Sequence, residues 1–464
     1  MTKSTDIKTH LWILSYHFPP STAAGGARAE SLAKYIVGRA EFDASTCHVG
    51  VCCGGAVDPK AAGKENSGVS KGYEILRVPF ESLSKPDTSS RKLDGRNALK
   101  SKSRFHGLLK SIAKPMLDPM LDMLKYPDRY HSWANSICAR MQQQLNGHNG
   151  KTVVLSSGPP HSIHIAAQKL KRDFGCAWIM DLRDPWIRNP FRNRFTFPAE
   201  YLDQRLERIC LREADAIVLN TQPALELLCK RYGAEVGNKS HCVPNGYQED
   251  EFQGIEANPL WHDDGRLVIL YAGSLYGQRT GGRLLAAIAR LKKQGIPIPR
   301  LILLGGKDVL AERDLIYSLK EANIEGDVEI IESVPKQQAL GAMVAASALV
   351  LIGDNHPEQL QVPSKLFEYL RIGKPILAIY PKHSPVSRYL HDYCEQYWQV
   401  DPDDDEGLEV AITSLAQALM DSKVTRDSKR PITELSREYQ NRKLFKIIEG
   451  LQGDKPSGKS RPDR

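Results

Sequence analysis

Apolar runs that alternate with amphipathic stretches, in two successive series, predict an α/β protein of two doubly wound parallel-sheet domains. Three observations carry this expectation. The alternation of strand-like and helix-period segments persists along the chain. The turn residues Pro244-Asn245-Gly246 separate one series from the next. The length, 464 residues, exceeds one ordinary domain and suits two of roughly 200 residues each.

Strands of the first series are expected at 11–16, 47–52, 74–78, 152–155, 178–182, 216–219 and 241–243. Those of the second are expected at 267–271, 301–304, 328–331, 349–352, 376–379 and 397–400. The domains follow as 1–247 and 248–430, with a helical stretch over 431–451 and a polar, disordered tail at 452–464. Residues of about 80–126 interrupt the first series. They hold eight cations between Arg91 and Lys114 against Asp94, which is almost the whole formal charge of +8. Leu108, Leu109, Ile112, Met116, Leu117, Met120, Leu121 and Leu124 then recur at helical spacing, predicting a helix kinked or restarted at Pro115 and Pro119.

Composition narrows the classes. Apolar residues are 41% and charged residues 25%, so most of the chain is expected to fold around cores. The apolar run over 339–353 is too short to span a bilayer, and that over 11–16 is shorter than a signal-peptide core. Nine scattered cysteines without a Cys-x-x-Cys pair imply neither a disulfide framework nor a zinc site. The expectation is a cytoplasmic protein. Nucleic acid is not an expected partner, because the basic cluster lacks interleaved aromatics beyond Phe105.

Several strand ends carry candidate chemistry. Gly25 and Gly26 precede a helix, where backbone N–H groups and the helix dipole favour an anion. No G-x-G-x-x-G fingerprint accompanies them, so a dinucleotide site is not supported. Gly273 opens a second glycine-rich turn that holds Arg279, whose several donors suit a diphosphate, although a surface arginine is the plain alternative. Ser364 is placed to N-cap a helix stopped by Gly373 and Pro375. Lys365 lies in that helix's first turn, a position unfavourable to a cation unless an anion binds there. Glu368 offers a carboxylate for two ribose hydroxyls. Asp181, Arg183 and Asp184 end a buried strand, where open α/β sheets place ligands; a structural ion pair is the other reading. His161 and His164 are acid/base candidates, or structural histidines.

Taken together, FPPSTAAGGARAESLA, VPNGYQEDEF, YAGSLYGQRTGG and VPSKLFEYLRIGKPI resemble retaining glycosyltransferases of family 4. SSGPPHS and DLRDPW resemble a bacterial branch that builds surface polysaccharides. The resemblance implies the GT-B fold, two Rossmann-like domains facing across a cleft, with the helix near 436–451 crossing back to the first. It implies that Glu368 holds the donor ribose, that Gly273, Arg279, Ser364, Lys365 and Leu366 line the diphosphate, and that Gly25 and Gly26 approach it. Ser333 and Val334 would lie against the base, with Arg28 and His161 on the acceptor side. Two positions depart from the family pattern. Leu360 stands where the first glutamate of Glu-x7-Glu belongs, leaving Glu358, Gln359 or Gln361 as substitutes. Arg183 stands at a strand end often held by histidine, so Asp181, Arg183 or Asp184 would support the acceptor.

The expected reaction moves a hexose from a nucleoside diphosphate sugar, UDP-sugar first, to a glycan or polyprenyl-linked acceptor with retention. Arg279 and Lys365 would stabilise the leaving diphosphate, with no cofactor and no metal. The basic cluster and its apolar helix fit an anionic inner-membrane surface, which would make the protein peripheral there; a solvated, partly disordered insertion whose apolar face packs on its own domain is the plain alternative. The competing readings are a sugar-nucleotide epimerase and a catalytically silent nucleotide-sugar-binding partner of a transferase.

Overall fold

The computed structural model describes residues 9–21, 24–39, 42–44, 47–54, 67–70, 72–80, 126–146, 150–187, 197–275, 281–306, 315, 317, 319–320, 322–353, 360–421 and 431–453. The basic cluster, its expected kinked helix, Arg279, Glu358, Gln359 and the tail from 454 lie outside them. Contacts divide the chain into two units. Unit 1 comprises 1–219, 225–242 and 441–464, and unit 2 comprises 220–224 and 243–440.

Unit 1 is built on β1 (Thr9–Ser15), β2 (Cys47–Cys53), β3 (Ser67–Ser70), β4 (Tyr73–Arg77), β5 (Lys151–Gly158), β6 (Ala177–Leu182), β7 (Ala216–Leu219) and β8 (Ser240–Cys242). Their order is β3-β4-β2-β1-β5-β6-β7-β8, parallel except for β3, which runs antiparallel to β4. Its helices are α1 (Ala24–Val37), α2 (His131–Leu145), α3 (Ser162–Phe174), α4 (Phe197–Glu213), α5 (Gln222–Tyr232, whose first residues fall in unit 2) and α6 (Ala234–Gly237). The central strands are buried on both faces, which explains their continuous apolar character.

Unit 2 holds β9 (Val268–Ala272), β10 (Arg300–Leu304), β11 (Val328–Ile331), β12 (Ala348–Ile352), β13 (Ile376–Ile379) and β14 (Tyr397–Val400), ordered β11-β10-β9-β12-β13-β14 and parallel throughout. Its helices are α7 (Gly282–Lys293), α8 (Lys336–Ala345), α9 (Ser364–Ile372), α10 (Pro385–Tyr393) and α11 (Asp405–Met420). Alternate residues of each strand enter different cores. Ile269 and Tyr271 join Leu284, Ile288 and Ile412 on one face, while Leu270 and Ala272 join Phe367, Tyr369 and Leu390 on the other.

Every strand run expected from the sequence is present; β3 is an addition, too short and polar to announce itself. Asp404, in the acidic run 403–405, caps α11 by accepting from the Gly407 N–H at 2.8 Å. Helix α12 (Arg437–Gly453) begins in unit 2 and joins unit 1 from Asn441. Its Asn441 bonds Ser31 at 2.8 Å, and Phe445 packs edge-on against Tyr35. No helix among the described residues is long and apolar enough to cross a membrane.

Each sheet has one place where the strand order reverses direction, between β1 and β5 in unit 1 and between β9 and β12 in unit 2. Outside the carboxyl ends of those strands, successive loops diverge and leave room for a ligand.

Candidate functional site

In unit 1 the reversal point gathers charges from distant parts of the chain. β1 ends at Ser15, whose hydroxyl donates to the His17 carbonyl at 2.9 Å. The chain then enters α1, and a Cβ on Gly26 would stand 3.1 Å from the backbone of Phe18, so helix and turn pack backbone to backbone. One turn into α1, Arg28 forms a two-pronged pair with Asp181 at the end of β6, through Nε at 3.0 Å and Nη2 at 2.9 Å. Ser157 of β5 donates to the same carboxylate at 2.7 Å. Asp181 and Arg28 are 1% and 10% exposed at their side chains, so this ion pair is buried as well as bidentate.

The Arg183 guanidinium donates to the carbonyls of Gly158 at 3.2 Å and Pro159 at 2.5 Å, and fills the space a side chain on Gly25 would take. Burial lowers its pKa, Asp184 and Asp181 oppose that shift, and Arg28 adds to it. His17 is lowered by burial and by Arg183. The structure thus brings Gly25, Arg28, Asp181 and Arg183 together, with Asp184 half-buried beside them. The carboxylate that pairs tightly is Asp181, and its partner is Arg28, not the adjacent arginine.

The two histidines lie deeper. His161 is 2% exposed and stacks on Trp186 at 5.1 Å between ring centroids. His164 is fully buried and bonded through Nδ1 to Ser156 at 2.8 Å, and Ser156 also accepts from the Trp178 indole at 2.8 Å. Burial pushes the His164 pKa down to about 3, with Asp181 opposing and Arg183 adding. That imidazole is neutral at neutral pH and a poor proton shuttle there.

Among the described residues, the reversal point of unit 2 is made of backbone, hydroxyls and ammonium groups. Directly after β9 comes Gly273, whose φ of 144° is open to glycine. Its N–H donates to Leu304 at 2.8 Å, and Leu275 donates to Gly306 at 2.8 Å, which ties this turn to the turn after β10. The Lys365 ammonium occupies the space above Gly273, where a Cβ would stand 2.2 Å from Nζ. It donates to the Tyr271 hydroxyl at 2.8 Å and sits 4.0 Å from that ring's centroid. Tyr369 holds the strand end, its hydroxyl accepting from the Ala272 N–H at 3.0 Å and donating to the Ala272 carbonyl at 3.3 Å. The hydroxyls of Ser333 and Ser274 border Gly306, at 3.4 and 3.6 Å from where its Cβ would be.

Helix α9 starts differently from the sequence expectation. Pro363 is the N-cap and Ser364 the first helical residue, with no side-chain cap; the fixed φ of Pro363 does what a capping hydroxyl would otherwise do. The Leu366 N–H donates to the Pro363 carbonyl at 3.0 Å and its side chain is buried in the core. The first-turn N–H groups of Ser364 and Lys365 have no preceding intrahelical carbonyl. Gly373, at φ 70°, ends the helix. Val334 packs against the core of its face, while Ser333 is exposed. Glu368, 7% exposed, is ion-paired with Lys336 of α8. Leu360 contributes its carbonyl to the Thr221 hydroxyl at 2.7 Å.

Sequence reading missed Lys336, Tyr271, Tyr369, Gly305 and Gly306. The Gly305-Gly306 pair directly after an apolar run was a usable signal. The others act through contacts between segments far apart in sequence, for which the chain offers no local mark. Chemically, the unit 2 site offers a cation, serine hydroxyls and a glycine backbone open to a polyanion, with a carboxylate one turn further along α9.

No family model matches the chain, and no curated protein matches it significantly. Solved structures do match. Sucrose-phosphate synthase from Thermosynechococcus elongatus aligns at TM-score 0.63 and 14% identity, over 96% of this chain and 99% of that one. Anabaena HepE in complex with UDP aligns at TM-score 0.61 and 11% identity, over 95% and 99%. The lipopolysaccharide outer core galactosyltransferase WaaB aligns at TM-score 0.55 and 13% identity, over 95% and 99%. With two doubly wound sheets of matching architecture, the fold is GT-B.

Proposed function

We propose that this chain is a retaining, family 4-like glycosyltransferase that moves a hexose from a nucleoside diphosphate sugar to a hydroxyl of a glycan or lipid-linked acceptor. The observation that carries the reading is Lys365, held in the first turn of α9 over the side-chain-free backbone of Gly273. A first-turn lysine opposes the helix dipole and becomes favourable when an anion sits between them. UDP is the favoured nucleotide because similar folds were solved with UDP and with UDP-2-fluoro glucose. A cell-surface acceptor is favoured by the likeness to a lipopolysaccharide galactosyltransferase and by the SSGPPHS and DLRDPW segments.

In this reading the bond from anomeric carbon to diphosphate oxygen breaks as the acceptor oxygen bonds the same face of the sugar. Negative charge grows on the departing phosphate, where Lys365 and the first-turn N–H groups of α9 are preorganised to receive it and Arg279 would add a second cation. The departing phosphate takes the acceptor proton, so no protein base and no metal is required. Glu368 accepts from the ribose hydroxyls, and Ser333 and Val334 border the base. Arg28, Asp181, Arg183 and Asp184 shape the acceptor side, while the cations of 91–114 meet anionic lipid at the inner face of the membrane.

The test is a panel of UDP-, GDP- and ADP-sugars, scored by release of nucleoside diphosphate and by thermal shift. One donor should stabilise the protein and be turned over once acceptor is present. Conversion of the donor without acceptor would favour an epimerase, and no response to any donor would sink the reading. Arg279→Ala and Lys365→Ala should each abolish turnover. Sedimentation with vesicles should recover the protein only when anionic lipid is present.

A further inference from the structure

Lys336 has no role in the reading above, yet its position is unusual. It is the first residue of α8, directly after Ser333-Val334-Pro335, and a cation there opposes the helix dipole. Its ammonium is bonded to Oε1 of Glu368, a carboxylate 9% exposed at its side chain, whereas the lysine side chain is 43% exposed. The pair joins two helices that flank the same strand ends.

We propose that Lys336 is a positioning residue that gives the site its selectivity for ribonucleotides. The inference rests on the donor-site reading of Glu368. A glutamate on a helix has three rotatable side-chain bonds, and fixing them on ligand binding costs conformational entropy. Lys336 holds the carboxylate in one orientation and engages Oε1, leaving Oε2 to accept from a ribose hydroxyl. A hydroxyl that meets a preoriented charged acceptor is worth more than one that must order it. Lys336 therefore acts through Glu368 on recognition of the sugar hydroxyls, and does so before any chemistry.

The experiment measures the affinities of UDP, 2′-deoxy-UDP and 3′-deoxy-UDP by calorimetry for the wild-type chain, Lys336→Ala, Lys336→Arg and Glu368→Gln. Wild type should prefer UDP over at least one deoxy form by about tenfold or more, the scale of a hydrogen bond to a charged group. Lys336→Ala should lower UDP affinity and bring that ratio close to one, as should Glu368→Gln. Lys336→Arg, which keeps the cation, should restore much of the ratio. If Lys336→Ala weakens all three ligands equally, the lysine contributes only charge and the inference fails, while the donor-site reading survives. An unchanged ratio in Lys336→Ala overturns it as well. If the wild type binds none of these nucleotides, nor GDP or ADP, the donor-site reading falls and takes the inference with it.

Discussion

Both sheets reverse strand order at one point, yet the groups that occupy the two points differ in kind. In unit 1 charged side chains close on one another, with the oxygens of Asp181 engaged by Arg28 and Ser157, and Arg183 donating to two carbonyls. In unit 2 the strand ends are glycine backbone, and Lys365 rests on a neutral tyrosine. Desolvated charges need partners to be tolerated at all, so the first arrangement bears on folding. Lys365 stands in the first turn of a helix, where a cation becomes favourable when an anion binds, so the second bears on binding.

Substitutions should separate these roles. Asp181→Ala leaves the Arg28 guanidinium buried without its carboxylate and should cost about 3–5 kcal/mol in denaturant unfolding; a loss under 1 kcal/mol would mean that the pair is not structural. Lys365→Ala should reduce turnover about 100-fold or more while the unfolding midpoint changes little. A large drop in stability with turnover intact would reverse the comparison. His164 makes unit 1 acid-sensitive. Its folded pKa is about 3, below the ordinary imidazole value of about 6.5, so the unfolded chain takes up a proton that the folded chain refuses. That stabilisation is complete above pH 6.5 and fades as pH falls toward 3, losing about 2 kcal/mol between pH 7 and pH 5. His164→Gln should flatten this part of the pH–stability curve, and an unflattened curve would show that the proton goes elsewhere. Smallest of all, Arg283→Ala removes exposed pairs with Asp403 and Asp405 and should move stability by less than about 0.5 kcal/mol.

The strands were legible because burial on both faces forces long apolar runs. β3 was not, because Ser67–Ser70 pairs on a single neighbour at a sheet edge and needs no such run. Gly25, Gly273, Lys365 and Glu368 could be singled out locally, since a glycine after a strand and a lysine in a first turn are both unusual for stated reasons. The partners could not. Arg28 and Asp181 are 153 positions apart, and Lys336 and Glu368 are 32 apart; nothing near either member announces the other. The N-cap at Pro363 instead of Ser364 is the smaller lesson. A serine before an apolar run invites a capping assignment, but the preceding proline already had the required backbone angle.

The segment around Gly246 affects how the protein can be dissected. Tyr247 donates its N–H to Leu435 at 3.1 Å and accepts from the Arg437 N–H at 2.8 Å, and the Arg437 guanidinium reaches the Gly246 carbonyl at 2.9 Å. The outgoing and returning chains are thus stitched side by side, so closely that a Cβ on Gly246 would stand 2.6 Å from the Leu435 oxygen. Unit 1 is accordingly not a contiguous stretch of gene. A fragment ending at Cys242 would lack the helix that covers Ser31 and Tyr35, and a workable half-protein needs residues 441–453 supplied in cis by a rejoined linker or in trans as a peptide.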